Sequence, residues 1–429
     1  MVTLLYFLAT ITALIILIKK QEKYSRTIFE PGVVIVGLFS LCYLLPGAAI
    51  ALGVKLSPTI EYSVNETTSL YGFVFVLGFL FFYLSMSSVY RLRIFPAKSL
   101  NIDWSPGTCF IGFILVFGLT KFILSHYGVG DSGNYSQQYI ERAAMPLKMR
   151  QLLNFLNPMQ KMLIAMILVS SFSNSNRNRS MIFVWLTFIV VLGEMWVSNS
   201  RSYFVSFILV FSAVYMLYRR PIGLKKEVLI SLSLILLLVL FSFKRFESGI
   251  SLNLDWVSAL IPGEFVFIHR NALHLLSLSD APQPPGSSYF QSFIAFIPSQ
   301  LNPDKWDLPT WYIAEYFSAV GEAGGGRAFG VISEAIVNWG LISIVFQSFV
   351  IAVIFRFAYY SAYKAQLYKI DVRVLFYLYC ILNIYQVIRS HSFAIFVGLI
   401  LGFVVPFLTI YFLSQIFKNV HNITHNSHV

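Results

Sequence analysis

Long apolar runs separated by short polar stretches make up most of this sequence. The runs are about 20 residues long and do not alternate between apolar and polar positions, so they predict membrane-spanning helices rather than strands. The expected fold class is an all-α integral membrane protein, built as one polytopic domain over residues 1–429. Eleven spans are predicted, near residues 2–18, 32–54, 69–88, 107–127, 151–172, 181–198, 202–218, 227–243, 330–355, 373–388 and 393–415.

The basic residues are concentrated in every second connection between these spans. Short loops on the cytoplasmic side of a membrane carry an excess of Lys and Arg. The amino terminus is therefore expected outside and the carboxyl terminus inside. The basic connections contain Lys19, Lys20, Lys23 and Arg26; Arg91, Arg93 and Lys98; Arg177 and Arg179; Arg219, Arg220, Lys225 and Lys226; and Arg356, Lys364, Lys369 and Arg373.

Composition narrows the possible classes of function. Hydrophobic residues make up 57% and charged residues 12% of the chain, whereas soluble domains carry about twice that charge. The formal net charge of +12 is largely explained by the short cytoplasmic loops, so no nucleic-acid partner is expected. The three cysteines, Cys42, Cys109 and Cys380, lie in apolar runs. This placement favours packing thiols over a disulfide framework or a metal site.

Two connections on the predicted outer side are long enough to fold. Residues 244–329 form the larger loop and residues 128–150 the smaller one. The larger loop carries charges, prolines and a glycine run, but its many aromatic residues make it too apolar for a tether. We expect a partly helical loop that lies on the membrane surface and caps the outer face. Since no cytoplasmic loop could hold a nucleotide-binding domain, any chemistry is expected at the outer face.

Arginines accumulate on this outer side, where positive charge is normally scarce. A guanidinium donates bidentate hydrogen bonds to phosphate and stays charged when partly desolvated. Arginines at membrane level therefore predict a phosphate carried on a lipid, although each alone could instead extend to lipid headgroups. The residues expected to bind a pyrophosphate are Arg142, Arg201, Arg270, Arg327, Arg389 and His391.

Glu334 and His269 are the candidate catalytic bases. Glu334 lies seven residues after Arg327, so the two side chains share one helix face if a helix has begun by Arg327. A histidine in the outer loop is neutral and available near pH 7. The two residues are therefore alternatives for accepting a proton.

Structural ion pairs are the alternative to catalysis for charges inside the spans. Glu334 could pair with Lys121 or Lys161, and Lys161 could pair with Glu194. Charges at membrane depth are costly, so they are either functional or paired with one another. The sequence leaves this choice open.

Several stretches around the glycine run carry a family resemblance. They are Pro298 with Pro303-Asp304-Lys305, then Gly324-Gly325-Gly326-Arg327, then Ser333-Glu334-Ala335 with Asn338-Trp339-Gly340 at the start of a span. Ser200-Arg201-Ser202, at the start of an earlier span, is similar too. In these stretches, and in its span count and two outer loops, the chain resembles bacterial oligosaccharide repeat-unit polymerases, the Wzy-type O-antigen polymerases.

The resemblance implies a GT-C-like membrane fold, no metal or other cofactor, and a reaction at the periplasmic face of a bacterial inner membrane. The growing glycan would pass from undecaprenyl pyrophosphate to a new lipid-linked repeat unit. The implied partners are lipid-linked donor and acceptor, membrane lipid, and a chain-length regulator protein. Related ligases carry a histidine shortly before the segment at Gly340, where this chain has Arg327 and Phe329. An O-antigen ligase and a lipid-linked oligosaccharide flippase are the alternatives.

Overall fold

The computed structural model describes most of the chain, and structural statements refer to the described residues. These are residues 2–20, 30–54, 64–86, 100–129, 141–142, 144–173, 177–198, 202–218, 226–229, 263–278, 286–294, 297, 308–318, 329–363, 365 and 370–426.

The described residues form fifteen helices and one two-stranded antiparallel sheet. The helices are α1 (Val2–Lys20), α2 (Pro31–Phe39, continued through a π-helical turn at Ser40–Leu44 into Leu45–Ala51), α3 (Asn65–Ser85), α4 (Pro106–His126), α5 (Leu147–Ser173), α6 (Arg177–Ser198), α7 (Ser202–Tyr218), α8 (Gly263–Ser277), α9 (Ser287–Phe293), α10 (Leu308–Tyr316), α11 (Val331–Val337), α12 (Leu341–Tyr363), α13 (Val372–Leu382), α14 (Ile384–Arg389) and α15 (Ser392–Leu399, continued through a π-helical turn at Ile400–Val404 into Val405–Asn426). Strand β1 (Asn101–Ile102) pairs with β2 (Ile370–Asp371).

The protein is an all-α, multi-pass membrane protein. Seven of the described helices are long and apolar enough to cross a membrane, namely α1, α2, α3, α4, α5, α12 and α15. They coincide with seven of the predicted spans, which confirms that reading of the apolar runs. Helices α6 and α7 occupy the sixth and seventh predicted spans, and α13 with α14 the tenth. The predicted span at 227–243 lies outside the described residues except for 226–229.

The chain divides into two compact units. Unit 1 consists of Met1–Arg91, Arg220–Phe357 and Asn383–Phe396, and unit 2 of Leu92–Arg219, Ala358–Leu382 and Val397–Val429.

The core of unit 1 contains a column of aromatic rings. Phe39 of α2 stacks on Phe75 of α3 with the ring centroids 4.0 Å apart. Phe79 and Tyr83 continue the column along α3, at centroid distances of 6.3 and 5.2 Å. Stacked rings along one face fix the pairing of these two helices.

Unit 2 is built around α4 and α5. The middle of α5 is buried, including Met166, Ile167 and Leu168 with no exposed surface. Gln160 Nε2 donates a hydrogen bond to Thr120 Oγ1 at 2.5 Å, which ties α5 to α4 inside the apolar contact. This unit therefore combines dense apolar packing with isolated polar contacts.

The ninth predicted span is interrupted, which corrects the sequence prediction. A single helix was expected over 330–355, but α11 ends at Val337 and α12 begins at Leu341. The start of α11 also differs, because Gly330 has a φ of 85° and α11 begins only at Val331. Phe329 and Gly330 are not helical, so no continuous helix runs from position 327 to Glu334, as the expected shared face required; Arg327 itself lies outside the described residues.

Close packing explains the glycine before α11. A Cβ atom at Gly330 would collide with the hydroxyl of Tyr43 on α2 and with Ile268 on α8. Both the positive φ and this contact require glycine. The chain can enter α11 between α2 and α8 only without a side chain here.

The 244–329 segment contains helices α8, α9 and α10 among its described residues. Ile268, His269, Ala272 and Leu273 of α8 have no exposed surface. Helix α8 contacts α2, α3 and α11. This part of the segment is packed into unit 1.

Candidate functional site

The carboxylate of Glu334 is the centre of a buried polar network in unit 1. The residue is 1% exposed. Its Oε1 accepts a hydrogen bond from Ser288 Oγ at 3.0 Å. Its Oε2 accepts three, from the backbone N and Oγ of Ser392 at 2.9 and 2.8 Å and from Gln347 Nε2 at 3.1 Å. One carboxylate therefore joins α11 to α9, to α12 and to the start of α15.

Asn338 fixes the chain where α11 ends. Its Nδ2 donates to Ser288 Oγ at 2.8 Å and to the carbonyl of Glu334 at 2.7 Å, and its Oδ1 accepts from the backbone N of Gly286 at 2.9 Å. The backbone of Asn338 leaves helical geometry, with φ −89° and ψ −96°. Gly340, at a φ of 58°, completes the turn into α12. The break in the ninth predicted span therefore belongs to the network that holds Glu334.

The partners of Glu334 favour its ionised form. The backbone N–H of Ser392 and the amide nitrogen of Gln347 can only donate, and both donate to Oε2. Burial raises the pKa of Glu334, whereas the nearby charge of His391 and the hydrogen bonds from Ser392 and Ser288 lower it. Glu334 lies outside the seven helices that could span a membrane. The arrangement surrounds a buried carboxylate with neutral hydrogen-bond donors.

His269 lies at the centre of a second polar cluster in unit 1. Asn65 Nδ2 donates to the carbonyl of Gly47 at 3.0 Å, so Asn65 Oδ1 is the acceptor for His269 Nε2 at 3.1 Å. This assigns the proton to Nε2 and leaves Nδ1 as the lone-pair nitrogen. Nδ1 has no hydrogen-bond partner among the described residues. Burial lowers the pKa of His269 to about 3, so the ring is neutral at physiological pH.

Two hydroxyl groups near His269 complete this second cluster. A Cβ atom at Gly47 would collide with the hydroxyl of Ser69 and lie 3.2 Å from Thr3 Cγ2 and 3.4 Å from His269 Cε1. The hydroxyls of Ser69 and Thr3 are buried and have no hydrogen-bond partner in the described part of the chain. Helices α1, α2, α3 and α8 thus meet around a small polar centre.

The structure describes some of the predicted anion-binding residues and not others. Arg389 places its guanidinium 5.8 Å from the ring centroid of Tyr385 and interacts electrostatically with Cys42 of α2. Arg270 follows His269 on α8 and is half-buried. Arg201 and Arg327 lie outside the described residues.

Arg142 belongs to unit 2, where its guanidinium donates to Asn154 Oδ1 at 3.4 Å. His391 belongs to unit 1. It is 4% exposed and stacks on Phe393 with the ring centroids 6.0 Å apart. The structure therefore places Glu334 and His391 close enough to interact electrostatically. Arg389 precedes that histidine by two residues in the sequence.

The residues that hold Glu334 were missed by sequence reasoning. The sequence pattern did not indicate a functional role for three of them, namely Ser288, Gln347 and Ser392. Gln347 did carry a signal, because it is an amide inside an otherwise apolar predicted span. The two serines carried none, since they lie 46 and 58 residues from Glu334 along the chain.

The ion-pair alternative for Glu334 is wrong. Its partners are four neutral donors instead of Lys121 or Lys161. Lys121 forms an ion pair with Glu194 in unit 2, at 2.5 Å between Nζ and Oε1.

No group of three or more His, Cys, Asp or Glu side chains is placed to hold a metal ion in the described part of the chain. Neither a family model, nor a curated protein, nor a solved structure matches the sequence. An assignment of function depends on the chemistry of the residues themselves.

Proposed function

We propose that the protein is a membrane glycosyltransferase that polymerises lipid-linked oligosaccharide repeat units, the activity implied by its resemblance to Wzy-type O-antigen polymerases. It transfers the growing glycan from undecaprenyl pyrophosphate to a new lipid-linked repeat unit. The reaction takes place at the periplasmic face of a bacterial inner membrane. A chain-length regulator protein is the proposed protein partner.

The Glu334 network is the observation that carries this proposal. The network contains the acid Glu334 and the amide Asn338, which donates to the carbonyl of Glu334. Both residues lie in stretches at the start of the ninth predicted span that support the resemblance. Ser288 adds a contribution from the 244–329 segment, and Ser392 one from the start of α15 next to His391. A buried carboxylate that is held by residues from distant segments, with a pKa shifted by its surroundings, is a candidate functional site.

The proposed reaction is a displacement at the anomeric carbon of the donor sugar. A bond forms between the acceptor hydroxyl oxygen and that carbon, and the bond from the carbon to the pyrophosphate oxygen breaks. The electron pair leaves with the pyrophosphate, whose negative charge increases. Arginine donors aimed at these oxygens stabilise the developing charge. Arg389 and Arg270 are the candidates in unit 1, and Arg201 and Arg327 remain proposed ligands.

The proton of the acceptor hydroxyl passes to a base, for which we propose the pair Glu334 and His391. The two side chains interact electrostatically. A fixed carboxylate stabilises the imidazolium that forms when a neighbouring histidine accepts a proton. His269 is the alternative base, but burial lowers its pKa to about 3, which makes its Nδ1 a weak proton acceptor and favours the Glu334–His391 pair.

Eleven spans with the amino terminus outside are part of this proposal, and contacts in unit 1 support the alternation. Asn65 at the start of α3 binds Gly47 near the end of α2, and both belong to predicted outer ends. Glu30 before α2 contacts Tyr83 near the end of α3 and Arg356 near the end of α12, all at predicted inner ends.

Orientation is tested by cysteine labelling of intact cells. The native cysteines are buried, so we expect little background labelling from them. Thr310→Cys, at an exposed position of α10, should react with a membrane-impermeant maleimide. Tyr363→Cys, also exposed, should react only after the membrane is permeabilised. The reverse pattern would place the candidate arginines in the cytoplasm and contradict the proposed site.

Reconstitution tests the activity itself. The purified protein in liposomes, supplied with a lipid-linked repeat unit, should produce a ladder of products on a gel. A ladder excludes the flippase alternative, because a flippase joins no sugars. Transfer of single repeat units to a lipid A–core acceptor, without a ladder, would instead indicate the ligase.

A further inference from the structure

One face of α5 in unit 2 carries a polar stripe along the amino-terminal half of the helix. The stripe consists of Arg150, Asn154, Asn157 and Lys161. These positions are three or four residues apart, so they share one helix face and extend over about 16 Å along the helix axis. Leu153 and Leu156 pack with Ile123 of α4, so the stripe lies to the side of that contact. Asn154 is exposed, which leaves the stripe open.

Three cations lie along this stripe without a carboxylate partner among the described residues. Arg142, from the segment before α5, places Nη2 3.4 Å from Asn154 Oδ1. Arg150 forms no side-chain hydrogen bond or ion pair with a described residue, and its Nε is buried. Lys161 is half-buried and likewise forms neither. The stripe therefore has three positive charges that no carboxylate in the described part of the chain offsets.

The stripe runs from the beginning of α5 into the level of the membrane. Gln160, next to Lys161, donates to Thr120 of α4 at 2.5 Å. Thr120 lies six residues before the end of α4 at His126, which is about 9 Å along that helix. Both helices are long and apolar enough to cross a membrane. Lys161 therefore lies at membrane depth, and Arg150 lies nearer to the predicted outer surface.

Unpaired cations at this depth favour an anionic ligand. A charge inside a membrane span is costly unless it is paired or lines a water-filled path. Glu194 of α6 binds Lys121 instead of Lys161, at 2.5 Å between Nζ and Oε1. A surface lined by charges of one sign concentrates ligands of the opposite sign. The stripe is therefore a candidate binding surface for an anion that enters from the outer side.

We propose that the stripe binds an acidic segment of the glycan, in which carboxylate groups recur along the sugar chain. The inference rests on the proposed function, because that function places a glycan at the outer face. A phospholipid headgroup or a pyrophosphate is compact and contacts the stripe at one depth, whereas the cations are distributed over about 16 Å of the helix. An arginine donates a bidentate pair to a carboxylate, and Asn154 Nδ2 supplies a donor for a sugar hydroxyl.

Binding is tested with the full chain in lipid nanodiscs, without turnover. The probe is a short oligogalacturonate, in which every sugar carries a carboxylate, and the neutral control is a malto-oligosaccharide of equal length. We expect the acidic oligosaccharide to bind, with an affinity that decreases as salt is added, and the neutral one not to bind. Equal binding of both, or binding of neither, would overturn the inference.

Substitutions on α5 show whether the stripe is the binding surface. Arg150→Gln and Lys161→Gln should each raise the Kd for the oligogalacturonate about tenfold, the loss of one charged contact. Lys161→Arg keeps the charge and should bind nearly normally, which separates lost binding from misfolding. The matched control is Lys148→Gln, which removes an exposed cation from the opposite face of the same helix and should leave the Kd unchanged. An equal loss with Lys148→Gln would indicate general charge attraction and overturn the stripe.

Turnover separates this inference from the proposed function. Lys161→Gln should raise the KM for an acidic lipid-linked repeat unit about tenfold, whereas a methyl-esterified repeat unit, which has lost its charge, should give the same KM with both proteins. An unchanged KM for the acidic unit would overturn the stripe while leaving the polymerase activity intact. Oligogalacturonate binding by a protein that forms no product ladder would support the stripe and contradict the proposed function. Co-purification of an acidic phospholipid that both glutamine variants lose would assign the stripe to a headgroup and overturn the inference.

Discussion

The carboxylate of Glu334 in unit 1 and two carboxylates in unit 2 have different kinds of partners. In unit 2, Asp371 is held by Arg373 through an ion pair at 2.6 Å, and Glu194 by Lys121 at 2.5 Å. In unit 1, Glu334 is held by neutral donors from serine, glutamine and backbone. A cation beside a carboxylate offsets its charge, whereas neutral donors leave the carboxylate without a fixed counter-charge and available to a substrate or a neighbouring side chain.

A second carboxylate in unit 1 shows that location within the unit also matters. Glu30 accepts from the backbone N of Val33 at 3.1 Å and from the hydroxyl of Tyr83, and Arg356 lies 3.8 Å away. The same guanidinium lies 4.9 Å from the ring centroid of Tyr83. Glu30 therefore caps α2 and has a cation, as the carboxylates of unit 2 do. We interpret it as structural, in contrast to Glu334.

The largest expected effect comes from removing the charge of Glu334. Glu334→Gln keeps the shape of the side chain but removes the carboxylate that the site is built around. We expect polymer to fall by about hundredfold or more, the range typical of a lost proton-transfer group. The measurement is the intensity of the product ladder per amount of protein in the membrane.

Glu194→Gln in unit 2 is the matched control for this change. It removes the charge of a less deeply buried carboxylate that has a lysine partner, and we expect polymer to remain near the level of the unmodified protein. Normal polymer from Glu334→Gln, or equal losses from both variants, would remove the functional contrast between the two units.

A somewhat smaller effect is expected from the candidate anion ligands. Arg389→Ala should reduce polymer by about tenfold to hundredfold, because a donor to the leaving pyrophosphate is lost. Arg389→Lys should restore little, since an ammonium cannot donate the same bidentate pair. Arg179→Ala, at an exposed position in unit 2, is the control. Losses are likewise expected for alanine at Arg201, Arg270 and Arg327.

Apolar runs predicted the helices well, but they could not predict where the helices break. A run of about 20 apolar residues can satisfy its backbone hydrogen bonds inside a membrane only as a helix or in a closed barrel. Seven spans were therefore found from the sequence alone. The break at Asn338 depends on contacts with Gly286 and Ser288 of the α9 segment. The conformation of Gly330 likewise depends on Tyr43 and Ile268, which are distant in the chain.

The candidate site was predicted only in part for the same reason. Glu334 and His391 stood out because charged or titratable residues are rare in apolar runs. The contacts of Glu334 with Ser288 and Ser392 require the tertiary fold, because serine is common and these residues lie far from Glu334 in sequence. Sequence therefore identified the acid but not the donors that define its charge state.

The structural interpretation of Glu30 predicts a moderate change in stability. Arg356→Ala leaves a buried carboxylate without its cation and should destabilise the protein by about 3 kcal/mol. Lys121→Ala in unit 2 should cost about 1 kcal/mol, because that lysine is 36% exposed. Thermal unfolding in detergent measures both. Equal shifts in Tm would show that the deeper burial of Glu30, compared with Glu194, does not increase the stability cost of losing the cation.

An effect smaller than that of Arg356→Ala is a pH dependence of stability that originates at His269. Its pKa is lowered from 6.5 to about 3 by burial. Between these values the unfolded chain binds a proton that the folded chain does not, so stability decreases as pH falls below 6.5 and is unaffected above it. From pH 6.5 to pH 5 the loss is roughly 2 kcal/mol, since each unit of pKa difference corresponds to ~1.4 kcal/mol.

Substitution of His269 isolates this contribution. His269→Gln retains a donor that can reach Asn65 Oδ1 but cannot be protonated, so part of the destabilisation between pH 7 and pH 5 should disappear. His126→Gln, at an exposed position in unit 2, should leave the pH dependence unchanged. The comparison requires unfolding curves of the three proteins at both pH values in the same detergent. If His269→Gln retains the full pH dependence, the imidazole is not kept neutral by burial.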